Sequence, residues 1–556
     1  MPEIPGTVER GTWLKALDLE ERGRIQGDTT AARDAERARR RLARWKAQEP
    51  FAGNGLFAQR LSRTGLGEED LLALLAEPED ALAERVDAQP SWLPILQEAF
   101  SHPAAERFPP PAETAEGRRL GFLQLVLPLM DAGWTRLLAD VRALAANHSG
   151  APFDPETAAG LLSPLLRYRL LLPVNRTMVL ELNLAGEEGR LAGKDPEERF
   201  DAFVQELRDP ATALETLRLY PVLARYAVEA VESWLEAGRE FLTHLVADRE
   251  ALRTLFAPDA GLGRLIELDG GLGDSHRGRS VLKAVFDSGL KLVYKPRSIA
   301  VEAAFQDLLG WTEARGLPPG FRRLRLLDRG DHGWVEFVAA APCASADEVR
   351  RFYERQGGYL ALLYLLGATD MHYENLIAAG EHPVMVDLEA LFHPWGEEVG
   401  QPPGTEPVGR PLQDSLLRIG LLPGRVWGDA ETPGIDLSGL GAAGEQRLPK
   451  PVLKMEGIGT DRMRFVRGPM TLPGSRNRPT LNGAAVALTD YTEAIADGLA
   501  RTLRLLVARR EELAAPDGPL AAFADAEVRV ILRPTSAYTL LLTESFHPFF
   551  LGDALD

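Results

Sequence analysis

The chain has 556 residues, more than one hydrophobic core usually organises, so several domains or lobes are expected. With 45% hydrophobic and 26% charged residues it has the composition of a soluble globular protein, and a net charge of -18 excludes general nucleic-acid affinity. A local basic patch for phosphate or peptide stays compatible with that charge. Cys343 is the one cysteine, which excludes an intramolecular disulfide and a cysteine-rich zinc site and fits a reducing cytoplasm. The first residues lack a basic-apolar-small signal pattern, and no uncharged apolar stretch is long enough to cross a bilayer.

Residues 1–258 are expected to be mainly helical. Within them 7–48 is charged and Ala-rich, and its Arg-dense part, 33–46, has the pattern of a solvated helix face. Another helix start lies at Gly67-Glu-Glu-Asp. Residues 120–146, 158–172, 197–207 and 212–256 continue the helical pattern. At Gly263 the period changes. Short apolar runs at 264–269, 280–286 and 290–295 predict strands, with Asp287-Ser-Gly as a hairpin turn. Residues 298–315 predict an amphipathic helix, and 321–327 and 333–338 predict strands again. Three strands, a helix and two further strands over 259–340 have the layout of a kinase N-lobe. A buried helix over 353–367 opens the remainder, 341–556, expected as the C-lobe. Its Gly/Pro-rich stretch from about 393 to 483 has room for an inserted activation subdomain. Residues 491–513 predict an unbroken amphipathic helix, 527–532 is a short β-branched run, and 535–551 predicts helix.

The chemistry centres on residues 367–391, GATDMHYENLIAAGEHPVMVDLEAL. Asp370 and Asn375 have the Asp-x-x-x-x-Asn spacing of a kinase catalytic loop. Asp387 follows at the tip of a short apolar strand, where a kinase places its second metal-binding aspartate. One carboxylate must meet the attacking hydroxyl, while an amide oxygen and a second carboxylate hold magnesium on the ATP phosphates. Asp370 and Asn375 alone would also suit an ordinary turn. Lys295 ends the strand in LKLVYKP, where a kinase grips the α/β-phosphates, and Pro296 biases it towards an extended conformation. Glu302 or Glu313 on the next helix is its expected ion-pair partner, Glu302 preferred because it is nearer the helix start. Residues 270–281, GGLGDSHRGRSV, form a glycine-rich loop whose backbone N–H groups can cover phosphates. The loop carries Asp274, His276 and Arg279, and the alternative is a hairpin with solvated charges. Glu336 lies where the chain leaves the N-lobe and is expected only to cap its strand.

With these residues in hand, the chain resembles the dehydratase part of class II lanthipeptide synthetases. The resemblance is carried by GDSHRGRSV, KLVYKPRS, ATDMHYENL, VMVDLEALF, GTDRMRF and NRPTLNG, with GLGEEDLLALLAEP near the N-terminus. It implies an α+β, lipid-kinase-like two-lobed catalytic core with a large helical N-terminal region and an inserted activation subdomain. It also implies phosphorylation of Ser and Thr in a precursor peptide with ATP and Mg2+, releasing ADP. Elimination of phosphate then gives dehydroalanine or dehydrobutyrine. By the same resemblance Lys295 binds phosphate; Arg279 from the glycine-rich loop and Glu302 from the following helix are expected with it at the nucleotide. Asp370 is the catalytic-loop carboxylate next to His372, and Asn375 and Asp387 hold the metal. Asp274, His276 and Thr460 match positions of the elimination step, and Lys454 stands where the family carries Arg, which removes the fork but keeps the charge. Family members continue into a zinc-dependent cyclase, and Cys343 is in no ligand motif, so cyclisation is expected from a separate domain or protein. Two other readings share these residues: a peptide kinase without elimination, motivated by Lys454, and a nucleotide- or peptide-binding pseudoenzyme scaffold.

Overall fold

The computed structural model describes residues 7–25, 34–48, 55–86, 88–102, 114–271, 273, 278–394, 415–426, 434–441, 444–474, 476–532 and 535–556. The N-terminal part is helical, as the apolar periodicity predicts, and it centres on three long helices. These are α1 (Leu127–Asn147), α2 (Pro155–Glu187) and α3 (Pro221–Phe256). Asp-Pro pairs start several helices. Asp154, Asp195 and Asp209 each accept the backbone N–H three residues on, and the following proline sits where its missing N–H costs nothing. The sequence ends the second helix near 172, ahead of Pro173, but α2 runs through Pro164 and Pro173. An interior proline costs about 3 kcal/mol. Here it is outweighed by burial of Leu166, Leu170, Val174, Met178 and Leu182 in the core.

A five-stranded antiparallel sheet follows, in the order β1-β2-β3-β5-β4. Its strands are β1 (Leu265–Asp269), β2 (Leu282–Phe286), β3 (Lys291–Lys295), β4 (Leu326–Asp328) and β5 (Gly333–Glu336). The Asp287-Ser-Gly turn forms as expected, with Gly289 at φ 84 and the Gly289 N–H on Phe286 O. The predicted strand at 321–327 shrinks to its last residues. The side-chain amide oxygen of Gln306 takes the Leu324 N–H at 2.8 Å in place of a ladder bond. Strand alternation decides what each face does. Leu282, Ala284, Phe286, Leu292, Tyr294 and Trp334 join the core of the long helices. The sequence boundary at 258 therefore separates helices from strands but not two cores. On the other face lie Val293, Val335 and the end of Lys295, towards Ile299, Val384 and the second half of the chain.

That second half packs helix α4 (Ala300–Ala314), helix α5 (Ala346–Leu365) and the ladder of β6 (Leu376–Ala379) with β7 (His382–Met385) into another core. The described parts of 393–483 carry short two-stranded ladders, the longest pairing β8 (Val452–Glu456) with β9 (Arg464–Gly468). The helix predicted as unbroken over 491–513 is α6 (Thr492–Ala508) and then a short turn of helix, separated at Arg509, whose φ is -115. The run at 527–532 forms no strand and instead lies extended along Glu389 and His393.

Helices α5 and α6 touch at backbone distance. A Cβ on Gly357 would lie 1.9 Å from Ile495 O, and one on Gly498 would lie 1.8 Å from Glu354 O. Gly357→Ala is therefore expected to destabilise by about 3 kcal/mol. Gly160→Ala, in α2 with nothing within 4 Å, is expected to stabilise by about 0.5–1 kcal/mol. Urea midpoints of the two variants check both signs, and a Gly357→Ala midpoint at the parent value contradicts the close crossing.

The Arg-dense stretch corrects the sequence reading in part. Arg39 and Arg40 are solvated, but Arg41 is buried and pairs with Asp553 at 2.7 Å and Asp556 at 2.8 Å. Arg22 adds a 3.1 Å pair to Asp553.

A polar knot fastens α3 to the back of the sheet. The His244 and His332 rings stack at 3.6 Å, with planes 6° apart. His244 Nδ1 meets the Tyr294 hydroxyl at 2.9 Å, and Asp248 takes His332 Nε2 and the Trp334 indole N–H, each at 2.8 Å. Burial, then the neighbouring His332, pushes the His244 pKa below its ordinary value, against Asp331, Glu240 and Asp248. A base whose folded pKa is depressed is protonated first in the unfolded chain. Its stabilising contribution is present above pH ~6.5 and falls as the pH drops below that value. The urea midpoint should therefore fall between pH 7.5 and 5.5, and His244→Gln should flatten that fall. An unchanged pH slope in His244→Gln would remove His244 as its source.

Candidate active site

Lys295 ends β3 on the face turned away from the long helices and is buried. Its Nζ donates to Glu302 Oε1 at 2.8 Å and to Val386 O at 2.7 Å. Of the two glutamates left open by the sequence, Glu302 in the first turn of α4 is the partner. The Val386 carbonyl places the lysine one residue from Asp387, at the end of β7. Two short bonds therefore tie the strand-end lysine, the helix carboxylate and the aspartate tip together.

The loop leaving α5 is built around Asp370, whose φ of 64 lies in the left-handed region. Non-glycine residues rarely hold that conformation, and a strained residue of this kind persists only where its surroundings demand it. Asn375 Nδ2 donates to Asp370 O at 2.9 Å, the Asn375 N–H to His372 O at 3.0 Å, and the Val386 N–H to Asn375 O at 3.0 Å. The loop is thereby strapped to the strand that delivers Asp387. His372 caps the short turn after it, its Nδ1 accepting the Glu374 N–H at 3.2 Å. Burial raises the Asp370 carboxyl pKa. His372 and Arg529 oppose that rise, and Asp387 and Glu389 add to it. A carboxylate raised in this way is a stronger proton acceptor. Asn375 keeps its amide oxygen free of partners among the described residues, and its backbone is bonded to the strand end that carries Asp387. Hard oxygens of these two kinds are what Mg2+ takes, so the donor set fits that ion.

The structure thus brings Lys295, Glu302, Asp370, His372, Asn375 and Asp387 to one place between the sheet and the second core. Three other groups were not singled out by sequence. Arg297 bonds Glu302, Asp387 and Glu389, and Arg529 bonds Glu389 at 2.6 Å. Two of them lie two residues beyond a predicted site residue, Arg297 after Lys295 and Glu389 after Asp387, and that spacing is the signal available in the sequence.

The other candidates have different partners or lie outside the described residues. Arg279 clasps Glu240 on α3, with Nε at 3.0 Å from Oε1, and reaches Glu236 at 3.1 Å. The bonds to Glu240 raise its pKa, so its guanidinium is committed to carboxylates of the helical region. Asp274 and His276 lie outside the described residues. Lys454 is exposed on β8, opposite Val466. Thr460 sits in the turn of that hairpin, donating to Gly457 O at 2.7 Å and accepting the Arg462 N–H at 3.2 Å. The turn is docked on the helical region: Asp461 N–H meets Pro196 O at 2.9 Å, and Asn183 Nδ2 meets Met463 O at 3.0 Å. Among the described residues no hydrogen bond or ion pair joins Arg279, Lys454 or Thr460 to the Lys295–Asp387 cluster. Glu336 takes the Arg325 N–H at 3.2 Å and its guanidinium at 3.1 Å, the strand-capping part expected of it.

Residues 220–556, more than half of the chain, match the family model described as a domain of unknown function, DUF4135. The chain belongs to that family. The DUF4135 region takes in α3, the whole sheet and every residue of the cluster just described. Over 258 residues the chain is also 27% identical to the lacticin 481/lactococcin biosynthesis protein LcnDR2 of Lactococcus lactis subsp. lactis. That match covers 45% of this chain and 28% of the relative, so it spans less than a third of the relative's length. Among the described residues no helix is long and apolar enough to cross a membrane.

Proposed function

We propose that this DUF4135 protein is a lanthipeptide dehydratase with a lipid-kinase-like core. It transfers the γ-phosphoryl group of ATP to Ser or Thr of a ribosomal precursor peptide, then eliminates phosphate to leave dehydroalanine or dehydrobutyrine. The observation that carries the reading is the junction of Lys295, Glu302 and the Val386–Asp387 strand end with the Asp370 loop. Similarity to a lantibiotic biosynthesis protein supports a precursor peptide as the substrate.

In this reading Lys295 Nζ, oriented by Glu302, offers its charge to the nucleotide phosphates. The Asp370 carboxylate takes the proton of the attacking hydroxyl, and burial suits it to that task. Asn375 and Asp387 would hold Mg2+, which when bound screens the charge of the phosphates. Asp274, His276, Lys454 and Thr460 serve the elimination, which needs removal of an α-proton and stabilisation of a departing phosphate. The site of action in this reading is the cytoplasm.

A peptide kinase that stops at phosphorylation is the second reading. It is favoured by Lys454 in place of Arg and by the docking of its hairpin on the helical region. Incubating a cognate precursor with ATP and Mg2+ and weighing it separates the readings. Loss of water supports the dehydratase, and gain of phosphate alone supports the kinase. No change with either cation or nucleotide defeats both and leaves a scaffold.

A further inference from the structure

Arg297 follows Lys295 by two residues, and its guanidinium is mostly enclosed by acidic partners. Nη2 lies 3.0 Å from Asp387 Oδ1 and 3.1 Å from Glu302 Oε1, and Nε lies 3.2 Å from Glu389 Oε2. Glu302 Oε1 is shared with Lys295, and Glu389 is also held by Arg529. Three cations, Lys295, Arg297 and Arg529, therefore face three carboxylates, Glu302, Asp387 and Glu389. Burial works against the charge on Arg297, but Glu302, Asp387 and Glu389 outweigh it.

We propose that Arg297 is a placeholder for the divalent cation: it neutralises Asp387 and Glu389 in the unloaded site and yields Asp387 when the metal arrives, thereby setting metal affinity. The inference rests on the reading of Asp387 as a metal ligand. Its physical basis is competition. A guanidinium 3.0 Å from a carboxylate oxygen makes a charge-assisted bond at the atom a cation would use. Removing it leaves Asp387 and Glu389 as neighbouring like charges that a dication can relieve. Arg297 is thus a positioning residue, and its role can be measured without turnover.

The test is Mn2+ binding to the full chain without nucleotide, followed by electron paramagnetic resonance, with thermal unfolding recorded in parallel. Arg297→Gln should bind Mn2+ roughly tenfold more tightly than the parent, the low end of what partners of metal ligands alter. It should melt lower than the parent without metal and regain most of the difference with Mn2+. Arg297→Lys, which keeps the charge and loses the fork, should lie between the two. Should Arg297→Gln fold only with Mn2+, that dependence supports the placeholder, and Arg297→Lys then supplies the affinity. Equal or weaker Mn2+ binding in both Arg297 variants, abolished by Asp387→Asn, overturns the placeholder and leaves the reading of Asp387 intact. Absence of Mn2+ binding in the parent and in both Arg297 variants overturns the placeholder and the reading of Asp387 together.

Discussion

Asp387→Asn should remove most ATP-dependent phosphorylation of the precursor peptide while leaving the fold intact. The substitution preserves the shape of the side chain, and an amide oxygen can still accept from Arg297 Nη2, now 3.0 Å from Asp387 Oδ1. What disappears is the negative charge that would hold a dication at the end of β7. Asp387 sits one residue beyond the carbonyl held by Lys295, so a poorly held cation is lost where the phosphates would lie. A drop of about a hundredfold in phosphoryl transfer, about 2.7 kcal/mol in barrier, is the scale expected when one charge-stabilising group is removed. Mass gain of the peptide measures transfer, and circular dichroism with a thermal melt verifies the fold. Near-normal phosphorylation by a folded Asp387→Asn protein would put the metal site elsewhere.

The reach of the sequence here follows the range of the interactions. The Asp370–Asp387 stretch was legible because its elements are adjacent: a helix, a loop with Asp and Asn at a diagnostic spacing, and a hairpin ending in a carboxylate. The Lys295–Glu302 pair was legible for the same reason, since β3 and the first turn of α4 are joined by only a few residues. Glu313 lies at the far end of that helix, beside Gly320. Pairings across long separations were not legible. Arg529 and Glu389 are 140 residues apart in sequence, and no local pattern links them. Arg41 looked like part of a solvated face because its partners, Asp553 and Asp556, lie at the other end of the chain. The course of α2 through Pro173 was hidden in another way. Local propensity argued for a helix end, and tertiary burial overrode it.

Thr460→Ala should let phosphorylated peptide accumulate while consumption of unmodified peptide continues at the parent rate. In the proposed reading transfer draws on Lys295, Asp370, Asn375 and Asp387, and among the described residues Thr460 bonds to none of them. Its hydroxyl is engaged within its own turn, donating to Gly457 O at 2.7 Å and accepting from the Arg462 N–H at 3.2 Å. That turn is held from outside by Pro196 and Asn183, so loss of one hydroxyl should not release it. In the proposed elimination the hydroxyl turns its one proton from Gly457 O to the departing phosphate, a charge-assisted bond worth about 1.5–3 kcal/mol, so dehydration should slow about tenfold to a hundredfold. Thr460→Ser keeps the hydroxyl and should dehydrate at close to the parent rate, separating the loss of a bond from a disturbed turn. Lys454→Arg, on the same hairpin, should retain or raise elimination, because a guanidinium grips phosphate with two parallel bonds where an ammonium offers a point charge. Phosphopeptide and dehydrated peptide are followed by mass over time for each variant. If Thr460→Ala dehydrates as fast as the parent with no phosphopeptide, and Lys454→Ala does the same, the hairpin holds no part of the elimination site. Its grip on the helical region would then be a matter of stability alone.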